Sequence, residues 1–192
     1  MDDKGLLNAQ LDRINGWINN CDQKAGIILA FMGAIATIII TSDIVYRAKE
    51  SLFHPIWDFL LNNANYSFSL RKTIIILLLI IVSILFILTI YQFLQVLKPR
   101  TKDKAQNSNS ENYIPSDKSL LYFDSICKRS YDEYCENLKT VAYDKELSSQ
   151  IYINSHICSE KFLHYKNGIN LLIWFLVALI VLLSFYLLFP NI

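Results

Sequence analysis

The side chains able to act as metal ligands, nucleophiles or bases are three histidines (His54, His156, His164) and four cysteines (Cys21, Cys127, Cys135, Cys158). His156 and Cys158 stand two residues apart. On a helix they would point about 200° away from each other, so they cannot chelate one ion together. His164 follows His156 by eight residues, about 12 Å along a helix axis, which is too far for a shared ligand sphere. Cys127 and Cys135 have the same separation. Ser155 and His156 are neighbours in the chain, which prevents a hydrogen-bonded nucleophile–base pair. There is no GxSxG elbow, HExxH pair, P-loop or GxGxxG turn. These residues predict neither a catalytic site nor a metal site, and no enzyme.

The elements that carry them are dominated by three uncharged apolar runs, 25–42, 73–97 and 169–189, of 18, 25 and 21 residues. As helices these would reach roughly 27, 37 and 31 Å, against a bilayer core about 30 Å thick. Composition agrees, with 53% of the 192 residues hydrophobic and 18% charged. About a quarter is the usual charged share of a soluble domain. A soluble core could hide one such run but not three, so the chain is read as an all-α membrane protein with three transmembrane helices. Trp174 and Tyr186, and Tyr91-Gln92-Phe93 at the end of the second run, suit interfacial anchors. A net charge of +1 argues against a nucleic-acid partner. Five Gly, four Pro and four irregularly spaced Cys exclude collagen-like, Pro/Gly-rich and disulfide-scaffold classes.

Carriers and pumps place ionisable residues inside the membrane. All three runs lack them, and Ser83, Thr89 and Ser184 can bond to their own backbone. One subunit therefore offers no conducting path, and any leak would come from several copies or from bilayer damage. Orientation follows from the flanks. Arg47, Lys49, Arg71 and Lys72 lie in 43–72, against eleven bases in 98–168 and Lys4, Arg13 and Lys24 in 1–24. The positive-inside rule places the N-terminus and the long loop in the cytoplasm and the C-terminus outside. Before the first run, Asp2, Asp3, Asp12 and Asp22 are unlike the basic start of a cleaved signal peptide. All four cysteines then face the reducing side as free thiols, while His54 lies outside, away from His156 and His164.

The polar segments are patterned as well. Leu7, Leu11, Ile14, Ile18, Cys21 and Ala25 recur every three or four residues, predicting an amphipathic helix over 1–24 that enters the first span. The stretch 98–116 is polar and aperiodic, a flexible linker. In 117–168 a helical hairpin is expected. Tyr122, Phe123, Ile126, Tyr134 and Leu138 would share one face of its first helix. Leu147, Ile151, Asn154, Cys158, Phe162 and Tyr165 would share one face of its second, which runs into the third span. Helix extensions and hairpin would pack as a cytoplasmic helical bundle; the alternative leaves them as separate surface helices. The outer segment 43–72 contains Leu52, Phe53, Ile56, Trp57 and Leu60, fitting a short interfacial helix or a packed loop.

The first span differs from the others. Gly26, Ala30, Gly33, Ala34, Thr37 and Thr41 form a small-residue seam of the kind that lets helix backbones approach in lipid. The seam would serve either homo-oligomers or packing against the chain's own second or third span. Asp22 and Lys24 at its cytoplasmic lip are either a solvated pair or a tie between the N-terminal helix and its neighbours, Lys161 and Arg13 among them. Such a tie would couple cytoplasmic rearrangement to the span, and Gly168 could hinge the third helix.

Three stretches together resemble a known family: NGWINNCDQKA over 15–25, YFDSICKRSYDEYCENL over 122–138 and KELSSQIYINSHICSEKFLHYKNGINL over 145–171. This pattern is similar to the transmembrane effectors of Pycsar, a bacterial antiphage system. The resemblance is strongest at Asp22-Gln23-Lys24-Ala25 and from Gln150 to Lys166. It implies a companion nucleotide cyclase that senses phage and makes cCMP or cUMP. The inner-membrane effector answers this diffusible signal, impairs the membrane, and the cell dies or stops growing. No cofactor is implied beyond that activating ligand. No cyclic-nucleotide-binding β-roll is recognisable, so the bundle itself would bind the ligand. A phosphate needs Arg or Lys, and a pyrimidine stacks on an aromatic ring. Arg13, Lys24, Lys128, Arg129 and Lys161 with Tyr131, Tyr134 and Tyr165 are the groups available. The competing readings are a non-gated membrane anchor or assembly subunit, and a related effector answering cyclic oligonucleotides.

Overall fold

The computed structural model describes residues 3–41, 70–100, 113–115 and 117–188. Every regular element among them is an α-helix: α1 (Asp3–Thr41), α2 (Leu70–Leu97), α3 (Phe123–Cys127), α4 (Tyr131–Thr140) and α5 (Tyr143–Leu188). Three of these, α1, α2 and α5, are long and apolar enough to cross a membrane. The N-terminal amphipathic stretch and the first apolar run form one uninterrupted helix, as do the second hairpin helix and the third run. The expected outer helix or loop around Phe53 and Trp57, most of 98–116 and the side chain of Tyr186 lie outside the described residues.

The chain divides into two compact units. The first takes the described residues of Met1–Lys24 and Val96–Leu163, and the second those of Ala25–Gln95 and His164–Ile192. In the second unit Met32, Val82 and Phe175 form the core, with Ile28, Leu85, Phe86, Ile90, Leu172 and Leu179 packed on it. The Phe86 and Phe175 rings lie 5.5 Å apart in a tilted pair. The polar side chains here bond to their own helices. Ser83 donates to the Leu79 carbonyl at 2.8 Å, and the fully buried Thr89 to that of Leu85 at 2.7 Å. Each would otherwise leave a hydroxyl unpaired in an apolar setting. Much of the remaining surface of these helices is large and apolar, including Ile27, Phe31, Ile80, Ile84, Ile173, Trp174 and Ile180. A soluble protein rarely exposes so much contiguous apolar surface; a lipid-facing one must.

In the first unit the stripe from Leu7 to Ile18 is half-buried, and it ends on buried Cys21. On α5, Leu147, Ile153 and Cys158 are buried. The stripe then departs from the expected pattern. Phe162 is 45% exposed and Lys161 5% exposed, so the charged residue turns inward and its apolar neighbour outward. Hydropathy favours Phe162, but the partners waiting for an ammonium decide the rotation.

The expected single helix through Tyr122 and Leu138 is also corrected. It is two short helices, α3 and α4, separated at Lys128–Ser130. The Ser130 side chain accepts the Glu133 N–H and caps α4, and Arg129 reaches back to carbonyls of the preceding turn. The proposed common face is therefore broken, leaving Phe123 and Leu138 exposed and no residue of α4 buried.

Gly168, considered above as a hinge, lies within the continuous α5, and the Phe93 ring rests on it. A Cβ at this position would meet Phe93 Cζ at 3.0 Å. Absence of a side chain is what admits the fully buried ring. We expect Gly168→Val to lower the melting temperature in detergent by overpacking this contact. Trimming the ring in Gly168→Val/Phe93→Leu should recover part of the loss. Truncation alone, Phe93→Ala, should cost about 3–5 kcal/mol.

Candidate functional site

The candidate site belongs to the first unit and is built from two buried polar clusters. The first is centred on Lys161. Its ammonium donates to Asp22 Oδ1 at 2.6 Å, to Asp22 Oδ2 at 2.8 Å and to the Val96 carbonyl at 2.7 Å. An ammonium has three donors and no acceptor, so all three find partners. Val96 lies at the end of α2, where helix carbonyls lack intrahelical donors and carry partial negative charge. Lys161 thus neutralises Asp22 and caps α2 at once, and it ties α1, α2 and α5 together. One residue earlier, Glu160 forms an ion pair with Arg100, so two consecutive α5 residues hold the chain leaving α2. Cys21 and Cys158 are buried nearby. Burial pushes the Cys21 thiol up, with the Asp22 charge adding to the effect, and burial likewise raises Cys158. Both thiols are accordingly poor nucleophiles.

The second cluster holds the turn before α3 against the first turns of α5. Glu146 is buried and accepts from Ser119 Oγ at 2.7 Å and from the Leu120 N–H at 3.1 Å. Ser119 Oγ in turn accepts from Gln150 Nε2 at 3.0 Å and from the Leu121 N–H at 3.1 Å. Arg129 donates to the Lys118 carbonyl at 2.6 Å and to that of Ser119 at 3.3 Å. The end of the stretch read as a linker is also fixed. The Ile114 N–H donates to Ser149 Oγ at 3.0 Å, and the Tyr113 ring stands edge-on to Tyr152, 5.9 Å away. Tyr152 meets His156 at 4.6 Å in the same manner. This aromatic ladder was not anticipated. Tyr152 and His156 stand four apart on one helix face, a readable signal, but Tyr113 arrives from a distant segment.

The sequence-derived candidates fall into three places. Arg13 and Lys24 are exposed on α1. Lys128 pairs with Asp124 at 2.6 Å across one helical turn, and this bond raises its pKa. Arg129 is held by carbonyls, Tyr131 is exposed and Tyr134 is half-buried. On α5, Lys161 is committed to its cluster, and the Tyr165 ring stands edge-on to Phe93 at 6.0 Å. Of the tie partners considered for Asp22, Lys161 is the one bonded to it.

The seam on α1 has an open surface. Gly26 is half-buried, Ala30, Gly33, Ala34 and Thr37 are exposed, and a Cβ on Gly26 or Gly33 would meet nothing within 4 Å. Thr37 donates to the Gly33 carbonyl at 3.0 Å. Ile28 and Met32, on another face of α1, serve the core instead. Among the described residues no group of His, Cys, Asp or Glu is placed to hold a metal ion.

With this geometry in hand, comparison with known proteins identifies the family. A family model described as the Pycsar effector protein domain matches residues 6–188. The chain belongs to that family. It is also similar to the Pycsar effector protein GmPycTM of Gulbenkiania mobilis, with 27% identity over 181 residues, covering 92% of this chain and 89% of that protein. No solved structure matches the chain. A Pycsar effector with three long apolar helices is a membrane protein, and the family implies an antiviral role alongside a partner cyclase.

The two kinds of charged contact in this unit should respond differently to mutation. Glu146→Ala removes the acceptor for Ser119 and Leu120 inside the protein and should cost about 1–3 kcal/mol in thermal or denaturant unfolding. Lys128→Ala breaks a solvated ion pair and should leave the melting temperature unchanged.

Proposed function

We propose that this chain is the membrane effector of a Pycsar-type antiphage system, acting without catalysis in the bacterial inner membrane. A partner cyclase would make the activating cyclic pyrimidine nucleotide, cCMP or cUMP, and the effector would then impair membrane integrity and cause death or growth arrest. The N-terminus and the 98–168 segment would be cytoplasmic, within reach of a diffusible signal, and the C-terminus periplasmic. The observation that carries this reading is the match to the Pycsar effector domain over 6–188, nearly the whole chain. Two features of the molecule support it. The broad apolar surfaces of α1, α2 and α5 suit lipid, and the open small-residue face of α1 suits close approach of a second copy. Homo-oligomers joined there would supply the conducting path that a lone subunit lacks, and bilayer damage is the other route to a leak.

The ligand would sit on the polar helices. Arg129, Lys128 and Lys161 are already bonded, whereas Arg13 and Lys24 are exposed, and no ion pair holds them among the described residues. They flank Trp17, which is 53% exposed, and the three lie within about 40° on the helix wheel. Arg13 stands one turn, about 6 Å, from Trp17, and Lys24 lies about 10 Å beyond it on the same face, so Arg13 with Trp17 suits one phosphate and one pyrimidine.

Dye-loaded liposomes carrying the purified protein should leak with cCMP or cUMP and stay sealed with cAMP. Absence of leakage with any cyclic nucleotide, in protein shown to be folded, would count against the reading. A thermal shift with cyclic oligonucleotides in place of pyrimidine nucleotides would redirect it to another signal. Ala30→Leu and Gly33→Leu should reduce leakage and crosslinked oligomers together, and full leakage in both would remove the seam from the mechanism. Arg13→Gln/Lys24→Gln should raise the nucleotide concentration needed for the response.

A further inference from the structure

We propose that the Lys161 junction is a releasable joint that holds the polar ends of α1, α2 and α5 together, and that its opening is part of the effector's response. The second half of this statement rests on the function proposed above; the first half does not. The geometry is specific to three helices. Asp22 comes from α1 one residue after buried Cys21, Val96 from the end of α2, and Lys161 from α5 three residues after buried Cys158. The apolar run of each helix lies next to its contribution: 25–42 follows Asp22, 73–97 includes Val96, and 169–189 follows Lys161.

The choice of an ion pair here is informative. Lys161 is buried, as are Cys21, Val96 and Cys158, while Asp22 stays partly open to water. In such a place a well-packed apolar set is often as stable as an ion pair or more so, whereas removing one partner of the pair is strongly destabilising. A charged joint therefore adds little static stability over an apolar one. It differs in the manner of opening, because water, salt or a competing anion can take over each partner. Asp22, 32% exposed in its side chain against 6% for Lys161, is the side from which such exchange would begin. Once Lys161 lets go, Asp22 is an exposed carboxylate and the Val96 carbonyl a solvated helix end, both well tolerated in water.

The buried thiols report on the joint directly. In a Cys127→Ser/Cys135→Ser background, Cys21 and Cys158 are the remaining cysteines, and their alkylation by a maleimide measures opening in the full-length protein in nanodiscs. Without nucleotide, Lys161→Met should speed labelling on the order of tenfold relative to wild type, since local opening governs access to a buried group. Asp22→Leu/Lys161→Met, which replaces both charges by apolar groups but leaves the Val96 carbonyl without its donor, should fold, label more slowly than Lys161→Met and lose the acceleration that high salt gives the wild type. Asp22→Asn, a milder change, should lie between wild type and Lys161→Met and covers the case in which the latter fails to fold. In liposomes the double variant should also fail to leak with cCMP or cUMP. Equal labelling rates across the series would overturn the joint. Leakage of the double variant at the wild-type level would overturn its part in the response. A wild type that never leaks counts against the proposed function alone, because the order of labelling rates needs no nucleotide and decides the joint by itself.

Discussion

The constraint on which this structure depends is the removal of the long helices' apolar side chains from water. Those of α1, α2 and α5 greatly outnumber the few that the protein core absorbs. Ile27, Phe31, Ile84, Ile87, Trp174 and Ile180 all point outward. In water this would be an aggregation surface; in hydrocarbon it costs nothing, and away from the helix ends the backbone polar groups are met within their own helices. The small hydroxyls obey the same rule, with Thr37, Ser83 and Thr89 each bonded one turn back. Helical spans with self-satisfied polar groups leave catalysis or ion coordination few tools. Specific interactions are concentrated instead where α1 and α5 become polar.

In that polar unit the protein relies on a few buried contacts rather than a large core. Lys161 and Glu146 each satisfy several partners, and among the described residues no buried side-chain nitrogen or oxygen lacks a hydrogen bond. The two clusters work differently. Glu146 fastens a local turn to the start of α5 through neutral donors, a static arrangement. Lys161 joins helices that are remote in sequence through a charge pair and a helix end. Such arrangements are costly to break from one side and cheap to replace from both, which makes them suited to a protein with two states.

How much of this could be read from residues alone depends on range. The spans were legible because length and lack of charge are local properties, and the α1 stripe from Leu7 to Cys21 turns inward as its spacing requires. The rotation of α5 was not legible. Choosing between Lys161 and Phe162 requires knowing that Asp22 and Val96 lie opposite, a contact 139 residues distant for Asp22. The division of α3 from α4 is legible in the sequence, since Ser130 followed three residues later by Glu133 is the signature of a helix start. Tyr113 on Tyr152 belongs to the unreadable class, because a polar stretch offers no periodicity to mark one ring that packs. The seam lies between the two: its spacing announces close approach but does not name the partner.

The account requires that the polar unit be on the cytoplasmic side, where a diffusible nucleotide can reach it. Cys127 is exposed and reports on this directly. Wild-type protein in intact spheroplasts should leave Cys127 unlabelled by a membrane-impermeant maleimide and should label it in inverted vesicles. Labelling of Cys127 from outside sealed spheroplasts would contradict the account.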